Sequence, residues 1–241
     1  MTTNVFETVK VRNVDSQQPD RKEQFLEISA FLFLIIPSMA LSFFAIKQDG
    51  LSFSLSAVAS ILRDLSLVGL ILFFLWRNRE PLRSIGWSFT NFWKEFIWGV
   101  NLFFPVFYAS GKLENALHAA GLSTPSTPLP AFLSPRGSVE ILLAFILVVV
   151  VAIAEETIFR GYLILRFRAM MSSPAAILLS TAVFALGHGY EGMAGLITVG
   201  FLGIIFALVY RWRRSLVAPM VMHFLQDFAV IVLPPLLTML H

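Results

Sequence analysis

The chain has 241 residues, of which 57% are hydrophobic and only 14% charged, and its mean hydropathy is +0.77. Soluble domains are about 45–50% apolar and about 25% charged, so this composition excludes an ordinary soluble fold and a disordered chain and favours an integral membrane protein. The net charge of +3 comes without a basic run interleaved with aromatics, so no nucleic-acid partner is expected, and the absence of cysteine excludes disulfides and thiolate chemistry.

Seven apolar segments follow in chain order, most of them near the roughly 20 residues that a transmembrane helix needs. They cover about residues 26–46, 53–76, 95–110, 138–166, 174–188, 193–210 and 216–238. The predicted fold class is therefore an all-α membrane protein, a polytopic helical bundle with about seven transmembrane helices. Pro234 and Pro235 are expected to bend or end the last helix. The first apolar run is too long for the h-region of a signal peptide, so no cleavable signal is predicted.

Three parts are expected along the chain. Residues 1–25 form a soluble cytoplasmic tail, residues 26–137 hold the N-terminal transmembrane helices and a Pro-rich loop that begins near 111, and residues 138–241 form a second membrane part. Most lysines and arginines fall on one side of the seven-span arrangement. By the positive-inside rule, the N-terminus is expected in the cytoplasm, with the lipid bilayer as a partner.

Ionisable side chains interrupt several predicted spans, where each costs roughly 2.5–3.5 kcal/mol on insertion scales. A rise of about 1.5 Å per residue places four of them about 14–22 Å from the cytoplasmic ends of their helices, near the middle of a hydrocarbon core of about 30 Å. These four are Glu155, His188, His223 and Asp227. Three helices thus bring two acids and two imidazoles to a similar depth, which indicates a functional cluster.

Spacing within the helices divides the roles of these residues. Glu156 and Arg160 are four apart and share a face, so they are predicted to form an ion pair or a substrate clamp. The neighbouring acid, Glu155, is rotated away from Arg160 and stays free to take and return a proton. His223 and Asp227 are also four apart and are expected to face one cavity.

The second span carries an adjacent pair of opposite charges, Arg63 and Asp64. Adjacent helical residues point to different faces. The pair is expected to mark either a broken helix or the mouth of a cavity, and a structural role is the favoured interpretation.

Three motifs carry a resemblance to a known family. Residues 155–160 match EExxxR, residues 184–188 match FxxxH, and residues 223–227 match HxxxD, a form of HxxxN/D. In this order on successive hydrophobic helices, they resemble the CPBP family of intramembrane proteases, also called the Abi family, which includes CAAX proteases and bacteriocin-processing enzymes. The motif-bearing part covers about 138–230, and residues 1–137 add only a compatible hydropathy pattern.

The resemblance implies an intramembrane endopeptidase that hydrolyses membrane-associated or prenylated, CAAX-type, protein or peptide substrates. It would make Glu155 the base that activates water, while His188 and His223 would position that water, or a metal, and stabilise the oxyanion. Asp227, where the prenyl-protein branch usually has Asn, would orient the site. The full set of catalytic candidates is Glu155, Glu156, Arg160, His188, His223 and Asp227, within a catalytic core over 138–241.

The resemblance leaves metal use open. Four of the candidates could supply a zinc site with an open position, namely Glu155, His188, His223 and Asp227. No HExxH is present, so the usual zincin arrangement does not apply. The expected location is a bacterial cytoplasmic membrane.

Two other classes of function fit the same residues. The first is a catalytically silent membrane scaffold of this fold, which would bind a partner or confer immunity to a bacteriocin. The second is a proton-coupled transporter in which the buried acids and histidines form a relay. Transporters often carry internal repeats, and the absence of a visible repeat in the sequence lowers this alternative.

Overall fold

The computed structural model describes residues 21–45, 52–123 and 133–239, and over these residues the secondary structure is helical without strands. Seven main helices follow one another: α1 Arg21–Ala45, α2 Phe53–Arg77, α3 Phe92–Ala119, α4 Gly137–Arg168, α5 Ser173–Leu186, α6 Gly192–Arg213 and α7 Val217–Met239. Short 3-10 helices occupy Leu82–Ile85 and Gly189–Glu191. The predicted all-α helical bundle is confirmed.

The helix boundaries follow the hydropathy pattern with one clear difference. The loop predicted from about residue 111 is wrong at its beginning, because α3 continues to Ala119. Residues 111–119 carry charges that end the apolar run, but they also include good helix formers, so the helix outlasts its hydrophobic part. Most of the predicted tail, and residues 124–132 of the predicted Pro-rich loop, lie outside the described residues.

Within the part of the chain that the structure describes, four helical stretches are long and apolar enough to cross a membrane: Phe53–Arg77, Gly137–Arg168, Gly189–Arg213 and Val217–Met239. Helix α5 is apolar but shorter. Helix α4 packs against α2 and α7, while α3 packs against α6 and α7. A cluster of buried side chains joins α1, α2, α4, α5 and α6 into one core. The N-terminal helices therefore share their packing with the motif-bearing helices.

An ion-pair network holds three helices together at one end of the bundle. Glu27 on α1 accepts hydrogen bonds from Arg77 at the end of α2, at 3.1 Å, and pairs with Arg166 at the end of α4, at 3.2 Å. Arg166 also donates to Glu80, at 2.8 and 3.0 Å. The ends of α2 and α4 that carry these arginines consequently lie side by side.

Helices α4 and α7 each contain a π-helical segment that the sequence analysis did not predict. The segment in α4 covers Glu156–Leu163, and the segment in α7 covers Phe228–Val232. Each begins directly after a candidate site residue, Glu155 or Asp227. Single π-turns inside α-helices are frequent at functional sites. In α7 the segment also precedes Pro234 and Pro235, whose rings clash with the preceding turn, and the helix continues to Met239 beyond them.

Candidate active site

A fully buried acid, Glu156, forms the centre of the site. Its side chain is 0% exposed, and its Oε1 accepts hydrogen bonds from Arg160 Nη1 and from His223 Nδ1, both at 2.8 Å. The ion pair predicted from the i,i+4 spacing is therefore present. The bond to His223 was not predicted, because it joins α4 to α7.

The guanidinium of Arg160 is enclosed by two aromatic rings. Its central carbon lies 4.1 Å from the centroid of Phe184 on α5 and 5.3 Å from that of Phe206 on α6. Cation–π contacts of this kind strengthen when the cation is desolvated. Because Arg160 is buried, the arrangement favours a structural ion pair over a substrate clamp. Phe206 belongs to no motif, and the sequence analysis did not predict its contact with Arg160.

The imidazole of His223 is held from one side and faces two acids on the other. Its Nδ1–H donates to Glu156. Its Nε2 lies 3.5 Å from Asp227 Oδ2 and 3.8 Å from Glu155 Oε2. A carboxylate bound to one ring nitrogen fixes the tautomer and the direction of the other nitrogen. Glu156 thus aims His223 Nε2 at the space between Glu155 and Asp227.

The neighbouring acids Glu155 and Glu156 occupy different surroundings. Glu155 remains 12% exposed, whereas Glu156 is sealed inside the bundle. Among the described residues, the buried Glu155 Oε2 has no hydrogen-bond partner. An unpaired buried carboxylate oxygen is costly, so such a group points to a functional role for the site. The expectation that Glu155 is left free by the Glu156–Arg160 pair agrees with this geometry.

A pocket of about 280 Å³, counting the space that opens outward, lies between α1, α2 and α4 and contains Glu155. Arg63 and Asp64 also line it. Helix α2 runs unbroken from Phe53 to Arg77, so a broken helix at this pair is wrong and the cavity mouth is confirmed. The two residues differ in burial, as their different faces predict, but the long Arg63 side chain reaches back to Asp64 at 2.9 Å.

His188 lies just beyond α5, in the turn before the Gly189–Glu191 helix, rather than inside a span that ends at residue 188. Its Nδ1–H donates to the Phe184 carbonyl oxygen, at 3.1 Å. Its ring lies 4.9 Å from the Phe184 ring, which in turn lies 6.0 Å from His223. His188 is therefore linked to His223 through ring contacts with Phe184. It also interacts electrostatically with Asp227.

Within the described ranges, no group of three or more His, Asp or Glu side chains is arranged to hold a metal ion. His223 Nδ1 is bonded to Glu156, which leaves Nε2 as the nitrogen that could bind a metal. Metal use therefore stays a prediction.

Two glycines on α6 offer a test of how tightly the site is packed. A Cβ at Gly203 would lie 2.9 Å from Thr181 Cγ2, 3.2 Å from Phe184 and 3.5 Å from Arg160 Nη2. Overpacking of this kind costs about 1–3 kcal/mol. A Cβ at Gly200 meets only Ala185 Cβ, at 3.8 Å. We expect Gly203→Ala to lower the unfolding midpoint in detergent and Gly200→Ala to leave it equal or higher. Equal midpoints for Gly203→Ala and wild type would contradict this packing.

The comparison with protein families identifies the part of the chain that carries the three motifs. A model of the type II CAAX prenyl endopeptidase Rce1-like family matches residues 137–229. The match covers all six catalytic candidates. Neither a curated protein nor a solved structure matches the chain.

The long apolar helices indicate an integral membrane protein, and residues 137–229 are similar to a family of proteases. The match to the Rce1-like type II CAAX prenyl endopeptidase family is consistent with the resemblance to the CPBP family.

Proposed function

We propose that this protein is an intramembrane endopeptidase in which Glu155 activates the attacking water. The observation that carries the proposal is the free Oε2 of Glu155, 3.8 Å from His223 Nε2, beside a pocket. This separation exceeds a direct hydrogen bond, and we propose that the attacking water is held between the two atoms. A water held there contacts a base and an imidazole at once.

The reaction needs one proton carrier. Glu155 accepts a proton from the water as the water oxygen bonds to the scissile carbonyl carbon. The tetrahedral intermediate then collapses, the C–N bond breaks, and the proton on Glu155 passes to the leaving amine. General acid–base catalysis of this kind contributes about 10²–10⁴-fold. Exclusion of bulk water strengthens each charge that acts on the transition state.

The two histidines have different parts in this proposal. His188 donates its Nδ1–H to a carbonyl, so in the neutral ring Nε2 is an acceptor. It therefore suits positioning of the water better than stabilisation of an oxyanion. His223 is aimed by Glu156 in the way that a buried acid orients a catalytic histidine. Asp227 Oδ2 lies 3.5 Å from Nε2 of His223, where it favours the protonated imidazole, whose Nε2 carries a hydrogen.

The proposed substrates are membrane-associated peptides or proteins, with prenylated, CAAX-type C-termini as the first class to test. The proposed location is a bacterial cytoplasmic membrane with the N-terminus in the cytoplasm. Both follow from the resemblance and from the distribution of lysines and arginines, and a reporter fused to the N-terminus tests the orientation.

The proposal is tested by incubating purified protein with a fluorogenic farnesylated C-terminal peptide, with and without a chelator. We expect cleavage by wild type and none by an identically prepared Glu155→Ala protein, with products identified by mass spectrometry. Equal cleavage by both preparations would reject Glu155 as the base. If neither cleaves this peptide nor membrane peptides from the same cells, the silent scaffold becomes the better interpretation. Loss of cleavage with chelator, restored by Zn²⁺, would establish a metal requirement.

A further inference from the structure

The pocket beside Glu155 has an unusual wall for a site inside a membrane. Five of its lining residues are apolar: Ile35, Met39, Leu67, Ile158 and Phe159. The remaining three are Glu155, Arg63 and Asp64. Among the described lining residues, Arg63 is therefore the one cation in a largely apolar wall that also holds Asp64 and the proposed base.

Asp64 lies on the buried face of α2, among apolar residues. The buried face of α2 includes Ala57 and Ile71, each seven residues away, and Asp64 between them is only 2% exposed. Arg63 Nε donates a hydrogen bond to Asp64 Oδ1 at 2.9 Å, and Nη2 forms an ion pair with the same oxygen at 2.9 Å. Asp64 thus holds Arg63 in one orientation and balances its charge in the membrane.

The guanidinium that Asp64 holds remains open to a ligand. The Arg63 side chain is 46% exposed, in contrast with the enclosed Arg160. A pair that existed only to neutralise two charges would need neither this exposure nor a position in the wall of a pocket. Arg63 also interacts electrostatically with Glu155.

The depth of Arg63 limits what can reach it. At about 1.5 Å per residue, Arg63 lies about 21 Å from the Arg77 end of α2, and Glu155 lies about 20 Å from the Arg168 end of α4. The network around Glu27 brings these two ends together. Arg63 and Glu155 are therefore at matching depths, near the middle of a core of about 30 Å, where lipid headgroups do not lie.

We propose that Arg63, positioned by Asp64, binds the C-terminal carboxylate of the substrate peptide in the pocket beside Glu155. A guanidinium suits this task because its planar donors match a carboxylate. The inference rests on the proposed function and names the end of the peptide that the site recognises.

Peptides that differ only at their C-terminus provide the test. A farnesylated peptide ending in a free carboxylate is compared with the same peptide ending in a carboxamide, first by binding to a Glu155→Gln protein that does not cleave. We expect the acid to bind about 10–100-fold more tightly, as a charge-assisted hydrogen bond allows. Arg63→Gln in that background should bring the two affinities within about threefold. The exposed Arg83→Gln provides the matched control and should keep the preference.

Further variants distinguish loss of the carboxylate contact from misfolding. Arg63→Gln leaves Asp64 buried without its partner, so Arg63→Gln/Asp64→Asn removes both charges, and Arg63→Lys keeps the charge without the planar fork. The double variant should lose the preference for the acid, and the lysine variant should keep part of it. Equal binding of acid and amide to the protein with Arg63, or no binding of either, would overturn the proposal.

Three further results distinguish this proposal from the proposed peptidase function and from lipid binding. A preference for the acid without any cleavage by wild type would retain Arg63 as a carboxylate site and reject the peptidase. Cleavage of acid and amide at equal rates would retain the peptidase and reject the carboxylate site. A preference that anionic phosphatidylglycerol abolishes at low mole fraction would assign Arg63 to a lipid and overturn the proposal.

Discussion

Replacing Glu155 with glutamine is expected to lower kcat for peptide cleavage by about 10²–10⁴-fold. The amide keeps the size of the side chain but cannot accept a proton from water. Because Glu155 Oε2 has no hydrogen-bond partner and the side chain is partly open to the pocket, the fold does not depend on its charge. We therefore expect an unchanged unfolding midpoint and little change in KM.

The measurement is steady-state cleavage of the peptide together with thermal unfolding in the same detergent. Glu114→Gln makes the same chemical change at an exposed position on α3 and should retain wild-type kinetics. A Glu155→Gln protein that retains kcat within about threefold of wild type would remove this residue from the proton transfers. A parallel loss of folding would instead give Glu155 a structural role.

The neighbouring substitution, Glu156→Gln, is expected to destabilise the protein by about 3–5 kcal/mol. The reason is that Arg160 would remain a buried cation without its acid, and His223 would lose the acceptor of its Nδ1–H. Activity should fall as well, since His223 would no longer be aimed at Glu155. Equilibrium unfolding in mixed micelles measures the first effect and peptide cleavage the second.

A double substitution separates these two effects. Glu156→Met/Arg160→Met removes both charges and leaves flexible apolar side chains between Phe184 and Phe206. Replacing a buried ion pair with apolar residues is often neutral or stabilising, so most of the lost stability should return. Cleavage should stay low, because His223 still lacks its acid. A Glu156→Gln protein as stable as wild type would show that Arg160 does not depend on this pair.

Much of the architecture could be predicted from local patterns. Apolar runs locate the helices because the cost of unpaired backbone groups in lipid leaves few alternatives. The Glu156–Arg160 pair follows from the i,i+4 spacing of one helix. The motifs identified the segment that the family comparison also matched. Each of these inferences depends on residues that are close together in the chain.

What could not be predicted depends on contacts between distant residues. The bond from His223 to Glu156 joins two helices, and Phe206 contacts Arg160 from a third. No periodicity specifies such partners. The π-helical segment after Glu155 and the place of Arg63 in the pocket wall are likewise set by packing. The sequence signal for Arg63 and Asp64 was a pair of charges inside an apolar run. This signal does not identify the residues that contact them.

The placement of two adjacent acids in different surroundings has a consequence for the history of such a protein. Loss of Glu156 threatens folding, so selection for any folded product removes that change, whether or not the protein cleaves peptides. Loss of Glu155 is expected to leave the bundle intact and to end only the proposed chemistry. A lineage that lost peptide cleavage but kept peptide binding would therefore retain Glu156 and Arg160. The residue at the position of Glu155 would be free to change. The identity of that one residue would tell enzymes from their inactive descendants.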